Sequence, residues 1–199
     1  GFPGWHIECT AMGCKELGEH FDIHTGGQDH ISVHHTNEIA QAEAAFGKNH
    51  AEFWMHNEFL VDKQGKMSKS KGDFLRLKTI KDAGYHPLDY RYMCLLTHYR
   101  KPLTFTYESL DAAKKARERL TNQVIELKEN TQPSGMSKQA QEFQGKFAEA
   151  IQDDLNTPKA IGVLQELIKS DLPDNEKLSR ILEWDQVLGL KLKQASRDV

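Results

Sequence analysis

The sequence has too few cysteines for a disulfide-stabilised protein and too little continuous apolar sequence for a membrane-spanning one. Three cysteines among 199 residues are an odd number, and no signal peptide precedes them, which argues against a disulfide framework and favours a reducing, cytoplasmic location. No apolar run approaches the ~20 residues that a membrane-spanning helix needs. Hydrophobic and charged contents of 38% and 28% are typical of a soluble globular protein.

The chain also lacks the excess of positive charge that would make its whole surface a nucleic-acid-binding one. Its net charge is −3, so any basic surface must be local. The clearest candidate is the stretch 63–81, where seven basic residues accompany a single acid, Asp73. The seven are Lys63, Lys66, Lys69, Lys71, Arg76, Lys78 and Lys81.

Histidines, by contrast, are abundant, and half of them are clustered. Five of the ten histidines lie within sixteen residues, which makes a metal site a reasonable hypothesis. The five are His20, His24, His30, His34 and His35. The chain begins with Gly1 rather than Met, inside a recognisable motif, so we expect it to be part of a longer protein.

The sequence pattern changes at about residue 106. Before it, short strand candidates at 21–24 and 53–61 alternate with helical segments, which is typical of an α/β fold. After Tyr107 only helical periodicity is found, with Pro158 marking the start of a helix capped by Thr157. We therefore predict an α/β domain over residues 1–105 and an antiparallel helical bundle over residues 106–199.

A short stretch rich in lysine, serine and glycine is the first candidate for chemistry. Lys66-Met67-Ser68-Lys69-Ser70 lies between Gly65 and Gly72 and offers ammonium groups, hydroxyls and accessible backbone N–H groups. These groups suit phosphate oxygens, although the spacing is not that of a Walker A loop. Taken alone, such a stretch is more often a solvated surface loop.

A second candidate follows the first predicted strand. Gly26 and Gly27 come where an α/β sheet binds ligands, at the carboxyl end of a strand, and Asp29 could accept hydrogen bonds from ribose hydroxyls. Most loops of this kind are simple turns, so the pattern is weak by itself.

A third candidate is a set of metal ligands. His34 and Glu38 are four residues apart near the start of a predicted helix, for which Thr36 or Asn37 is the expected N-cap. A pair of this kind is usually a surface hydrogen bond. Cys9, which shares a face of the first predicted helix with Trp5, would complete a mixed sulfur, nitrogen and oxygen set suited to zinc.

The chain resembles the cysteinyl-tRNA synthetases, a class I synthetase family, over essentially its whole length. The resemblance rests on seven strings in the order of that family: Gly-Trp-His-Ile-Glu-Cys (4–9), Asp-Ile-His-Thr-Gly-Gly-Gln-Asp (22–29), His-His-Thr-Asn-Glu-Ile-Ala-Gln (34–41), Trp-Met-His-Asn (54–57), Lys-Met-Ser-Lys-Ser (66–70), His-Tyr-Arg (98–100) and Asp-Asp-Leu-Asn-Thr-Pro (153–158). It implies the second half of a Rossmann-type nucleotide-binding fold, followed by a helical bundle of the tRNA- or anticodon-binding type.

The resemblance also implies roles for individual residues. Zinc would be bound by Cys9, His34 and Glu38, and Trp5 would lie beside the cysteine pocket. ATP, with Mg²⁺, would contact a set in which the two lysines act catalytically on the phosphates: Gly26, Gly27, Asp29, Lys66, Met67, Ser68, Lys69 and Ser70.

Two parts of the family pattern are missing from the sequence. The HIGH motif and the first zinc-binding cysteine belong to the N-terminal half of the family's catalytic domain. We therefore expect that half to be a partner of this chain, and the chain alone to be inactive. Its zinc site should be weak unless water, His35 or a neighbouring molecule supplies the fourth ligand.

The implied reaction joins cysteine to tRNA(Cys) through cysteinyl-adenylate. An apolar pocket rejects serine poorly because serine differs from cysteine by one atom, whereas zinc binds a thiolate far better than a hydroxyl. One alternative is a related ligase that joins cysteine to an amino sugar in thiol biosynthesis. Another is a non-catalytic module that binds nucleic acid or a protein partner.

Overall fold

The computed structural model of the protein describes residues 4–62, 65–66, 76–130 and 137–197. In these ranges the helices are α1 (Ile7–Leu17), α2 (His34–Phe46), α3 (Leu77–Asp82), α4 (Pro87–Leu95), α5 (Tyr107–Asn130), α6 (Lys138–Gln152), α7 (Thr157–Lys169) and α8 (Asp174–Leu188). The strands are β1 (Phe21–Gly27), β2 (Ala51–Asn57), β3 (Leu60–Asp62), β4 (Gly65–Lys66) and β5 (Leu103–Thr104). The predicted order, α/β followed by all-α, is confirmed.

Strands β1 and β2 form a parallel pair connected through α2. Their register pairs Ile23 with Phe53, His24 with Trp54 and Gly27 with Asn57. Because the pair is parallel, both carboxyl ends lie at one edge, where β1 runs into a 3₁₀ turn over Gln28–His30. Strands β3, β4 and β5 form a second small sheet in the order β4-β3-β5.

The two faces of the β1–β2 pair differ in what covers them. His24 lies on one face and contacts residues of α2. On the other face the paired side chains of Ile23 and Phe53 are 54% and 62% exposed. Parallel strands are normally buried on both faces, so this apolar surface lacks, within the described residues, the cover that such a sheet usually has.

The chain divides into two compact units. The first comprises Gly1–Leu60 with Tyr99–Leu103, and it contains α1, α2 and the parallel strand pair. The second comprises Val61–His98 with Thr104–Val199, and it contains helices α3 to α8. The boundary predicted between residues 105 and 106 separates strand-containing sequence from purely helical sequence. The division into two compact units instead reflects which segments pack together.

The second unit is stabilised by apolar side chains that recur at helical spacing and pack between its helices. Leu110, Ala113, Leu120 and Val124, which recur at helical spacing along α5, are all buried. Between α6 and α8 the rings of Phe147 and Trp184 stack 4.4 Å apart, nearly parallel. The 13- to 24-residue helices α5 to α8 therefore gain most of their stability from packing against one another.

A buried carboxylate fixes the segment that follows α8. Asp185 accepts hydrogen bonds from the backbone N–H groups of Leu190, at 2.7 Å, and Leu192, at 2.8 Å. Gly189, which ends α8, has a φ of 64°, and this left-handed conformation turns the chain from the helix into the segment that Asp185 holds. The segment is also held from α5, where the Lys128 ammonium donates to three backbone carbonyls.

Two predicted helix caps are wrong. Helix α2 begins at His34 with Val33 as its N-cap, and the Thr36 hydroxyl donates instead to the carbonyl of Ile31. Helix α7 is capped by Asn156, whose side chain accepts from the N–H of Lys159, so Thr157 is the first helical residue. In both cases the cap precedes the predicted residue: at α7 Asn156 has a capping side chain of its own, and at α2 Val33 caps the helix without a side-chain hydrogen bond.

No helix in the described ranges is long and apolar enough to cross a membrane.

The exposed pair Ile23 and Phe53 predicts that the isolated chain self-associates, since an uncovered apolar sheet face favours contact with a second copy. We expect Phe53→Thr to lower the apparent mass measured by light scattering over a concentration series. Val187→Thr, which alters a 52% exposed residue on α8, is the control and should leave association unchanged. A chain that remains monomeric at every concentration would contradict this prediction.

Candidate functional site

The first unit brings together the three metal ligands predicted from the sequence. Cys9 comes from α1, and His34 and Glu38 come from successive turns of α2. One ligand atom from each lies within 4.8 Å of the others. The Nε2 atom of His34 is 2.7 Å from Oε1 of Glu38, so these two side chains contact each other directly along the helix.

Glu38 is the centre of this group, although its side chain is only 1% exposed. Its second oxygen, Oε2, lies 2.8 Å from Nε2 of His24, which is in β1. Burying an ionised carboxylate is costly unless hydrogen bonds replace the lost water. Two imidazoles, one for each oxygen, meet that requirement here.

A second trio of metal-ligand type shares the same carboxylate. His24, His35 and Glu38 also have ligand atoms within 4.8 Å of one another. His35 is buried, and its Nδ1 lies 2.8 Å from Nε2 of His56 in β2. The site is therefore a set of imidazoles arranged around one carboxylate.

Trp5 is held near this set although it precedes α1. Its indole stacks on the ring of His6 at 4.5 Å, and His6 lies 3.8 Å from the ring of His34. The carbonyl of Trp5 accepts a hydrogen bond of 2.9 Å from the side-chain amide of Gln41 in α2. The Trp5 side chain is 71% exposed, which leaves one face open to a small molecule.

The surroundings keep the thiol of Cys9 and the imidazole of His35 neutral when no metal is bound. Burial raises the pKa of Cys9, and the carboxylates of Glu38 and Glu8 raise it further. Burial lowers the pKa of His35 to about 4, and the neighbouring imidazoles lower it too. A neutral imidazole is the form that binds a metal, whereas Cys9 must release a proton on binding.

The glycine pair lies at the carboxyl end of β1, as predicted. A Cβ atom on Gly26 would lie 2.5 Å from Cε1 of His35 and 2.7 Å from Nδ1 of His30. A Cβ on Gly27 would lie 2.5 Å from Oδ1 of Asp29. The absence of a side chain at Gly26 thus allows two imidazoles to pack against the backbone, and at Gly27 it makes room for the Asp29 carboxylate.

The lysine-rich loop is only partly within the described residues. Lys66 ends β4, and only its backbone is described. Met67, Ser68, Lys69 and Ser70 lie outside the described residues.

Sequence reasoning missed the contacts of His24 and His56 in this group, and it named His35 only as a possible fourth ligand. The density of histidines in residues 20–35 was the available signal, but sequence spacing alone does not bring β1, α2 and β2 together. Cys14 belongs to neither trio, and its Sγ lies 3.8 Å from Nδ1 of His50.

Comparisons with family models and with known proteins indicate the same family. Residues 1–115 match the model of the tRNA synthetases class I (C) catalytic domain, and residues 146–170 match the DALR domain. "Cysteine--tRNA ligase 1" of Burkholderia lata is 50% identical over 98% of this chain, and "Cysteine--tRNA ligase" of Treponema denticola is 44% identical over 98%. The alignments cover 40% and 44% of those relatives, so the chain spans about two fifths of their length.

A solved structure supports the fold independently. The ternary complex of LeuRS, tRNA and LeuAMS from Agrobacterium radiobacter matches 86% of this chain and 26% of its own chain, with a TM-score of 0.62. At 17% identity, this similarity concerns the fold alone.

The contact at Gly26 yields a prediction. Gly26→Ala should lower the free energy of unfolding by about 1–3 kcal/mol, because the added methyl group must displace His35 or His30. Gly145→Ala is the matched control: position 145 is inside α6 with open space around it, so the same change should raise stability by up to about 1 kcal/mol. Urea unfolding followed by circular dichroism measures both. Equal effects of the two substitutions would contradict the packing described at Gly26.

Proposed function

The chain belongs to the class I tRNA synthetase family, type C, and from this premise we propose that it is part of an enzyme that attaches cysteine to tRNA(Cys). The reaction would activate cysteine with ATP, as cysteinyl-adenylate, and transfer the activated carboxyl group to the 3′ end of the tRNA. The observation that carries the proposal is the convergence of Cys9, His34 and Glu38 beside Trp5. The names of the relatives favour tRNA over an amino-sugar acceptor or a non-catalytic module.

The three converging residues fit a zinc ion. Thiolate, imidazole and carboxylate are the ligands that zinc uses in proteins, and catalytic zinc sites have three protein ligands with a fourth position open to substrate. Cys9 and His34 are partly exposed, whereas Glu38 is buried, so the group opens to solvent on one side only. When bound, zinc would favour the thiolate form of substrate cysteine and so select it over serine.

The residues around this group would orient the substrate. Trp5 offers an apolar face held in place by Gln41, and its exposure leaves room for the short side chain of cysteine. The contacts with His24 and His34 would hold the Glu38 carboxylate in place and directed at the metal.

ATP would bind at the carboxyl end of β1. Gly26 and Gly27 lack side chains where the strand ends, and Asp29 lies in the turn that follows, within reach of a ribose. The residues Lys66, Met67, Ser68, Lys69 and Ser70 would surround the phosphates, where Mg²⁺ would also bind. The ammonium groups of Lys66 and Lys69 would stabilise negative charge that develops during adenylate formation.

The proposed division of labour follows the two kinds of secondary structure. Residues 1–105 would carry the chemistry, and the helices of residues 106–199 would bind tRNA. The remaining part of a full-length synthetase would cover the exposed Ile23 and Phe53. We place the enzyme in the cytoplasm because its three cysteines are all free.

Lys69 provides the direct test. In a full-length enzyme containing this chain, cysteine-dependent exchange of pyrophosphate into ATP should fall ~10²- to 10³-fold in Lys69→Ala, because the lysine acts on charge that develops in the transition state. Affinity for cysteine should change little. Lys48→Ala, which removes an exposed lysine paired with Glu19, is the control and should retain full exchange. Normal exchange in Lys69→Ala would mean that the loop is a surface turn without a catalytic role.

A second test concerns tRNA. Affinity for tRNA(Cys) should fall as salt rises, because basic residues of 63–81 would displace counterions from phosphates. If exposed Lys81 contacts one phosphate, Lys81→Ala should reduce the slope of log affinity against log salt by about 0.7–0.9. Lys48→Ala, in the first unit and outside both the basic stretch and the helices proposed to bind tRNA, should leave the slope unchanged. Affinity that does not depend on salt would contradict this interface.

A further inference from the structure

The carboxylate of Glu38 belongs to two trios of ligands that differ in chemistry. With Cys9 and His34 it forms a sulfur, nitrogen and oxygen set, whereas with His24 and His35 it forms a set of two imidazoles and one carboxylate. Each of its oxygens is directed to a different trio: Oε1 to His34 at 2.7 Å and Oε2 to His24 at 2.8 Å.

The second trio has the features of a metal site rather than of ordinary packing. His24 and His35 lie on different elements, β1 and α2, and their ring centroids are 4.6 Å apart. The Nδ1 atom of His35 also lies 2.8 Å from Nε2 of His56, and this contact would hold the His35 ring in place, as a hydrogen-bond partner on the nitrogen away from the metal does for metal-binding histidines. Glu38 and His35 are both buried, so an ion there would be largely shielded from water.

Charge decides whether both trios can be filled together. Glu38 and a Cys9 thiolate supply two negative charges, which balance one divalent cation. Two such ions would leave two uncompensated positive charges beside a buried carboxylate, and isolated buried charge is strongly unfavourable. One ion at a time is therefore the favoured occupancy.

We propose that His24, His35 and Glu38 form a second, alternative site for a single divalent transition-metal ion, which occupies it when Cys9 is not a ligand. Glu38 is common to both positions, so the ion keeps one ligand in either. Loss of the thiolate ligand then relocates the ion within the chain and away from Trp5, where substrate would bind, rather than releasing it. This inference follows from the ligand geometry and does not depend on the proposed reaction.

Cobalt(II) titration of the 199-residue chain tests the proposal, because a cobalt–thiolate bond gives an intense near-ultraviolet charge-transfer band that imidazole and carboxylate ligands do not. The unsubstituted chain should bind one equivalent of Co²⁺ and show the band. Cys9→Ala should still bind one equivalent, without the band. Cys9→Ser serves the same purpose with a side chain of nearly native size if the alanine variant does not fold.

Removing the second trio in the Cys9→Ala background completes the test. Cys9→Ala/His35→Gln should bind Co²⁺ at least about 10- to 100-fold more weakly than Cys9→Ala, since even an outer partner of a ligand is worth that much. Cys9→Ala/His24→Gln should weaken Co²⁺ binding to a similar extent, and it alters a residue that is less buried than His35. Cys9→Ala/His20→Gln is the matched control, because His20 is exposed and belongs to neither trio, and it should retain full affinity.

Three outcomes would overturn the proposal. They are absence of binding by folded Cys9→Ala or Cys9→Ser, undiminished affinity in both folded double variants, and two equivalents bound by the unsubstituted chain. Circular dichroism of each variant without metal establishes that it is folded.

Discussion

The buried carboxylate of Glu38 is the constraint on which the first unit depends. A carboxylate whose side chain is 1% exposed must replace its lost hydration, and here imidazoles from β1 and from its own helix do so. This requirement fixes α2 against β1, brings His34 to the position where Cys9 of α1 can approach, and places His35 against β2. The same interactions that compensate the buried charge thus assemble the groups that a metal would need.

The parallel strand pair determines where this assembly occurs. Because β1 and β2 run in the same direction with α2 between them, the helix lies across one face of the pair, and histidines from both strands point toward it. The carboxyl ends of the strands, with Gly26 and Gly27, are then adjacent to the same group. An ion and a nucleotide could be bound within one small unit of alternating strands and helices, which is how α/β folds generally position ligands.

The sequence predicted those parts of the structure that depend on local pattern. The order of helices and strands, the helical half after Tyr107 and the end of β1 at the glycine pair all follow from periodicity and turn residues. The family resemblance supplied Cys9, His34 and Glu38, and the structure brings their ligand atoms together. His24 and His56 could not be assigned in this way, because their proximity to Glu38 and His35 arises from strand register.

The caps of α2 and α7 were missed for a related reason. A residue with a suitable side chain is common near a helix start, but the backbone angles that make one residue the cap depend on how the preceding segment packs. At α7 the residues before the helix, Asp154 and Leu155, both have positive φ, a conformation that few sequences would suggest. Local composition therefore located the helices correctly but their first residues only approximately.

The lack of space at Gly26 bears on how this protein can vary in sequence. Position 26 has no room for a side chain as long as the imidazoles of His30 and His35 keep their places. A larger residue at 26 becomes acceptable only when both neighbours move or become smaller, and a smaller residue at 35 would remove a contact with His56. The three positions are therefore coupled, although they lie up to nine residues apart along the chain.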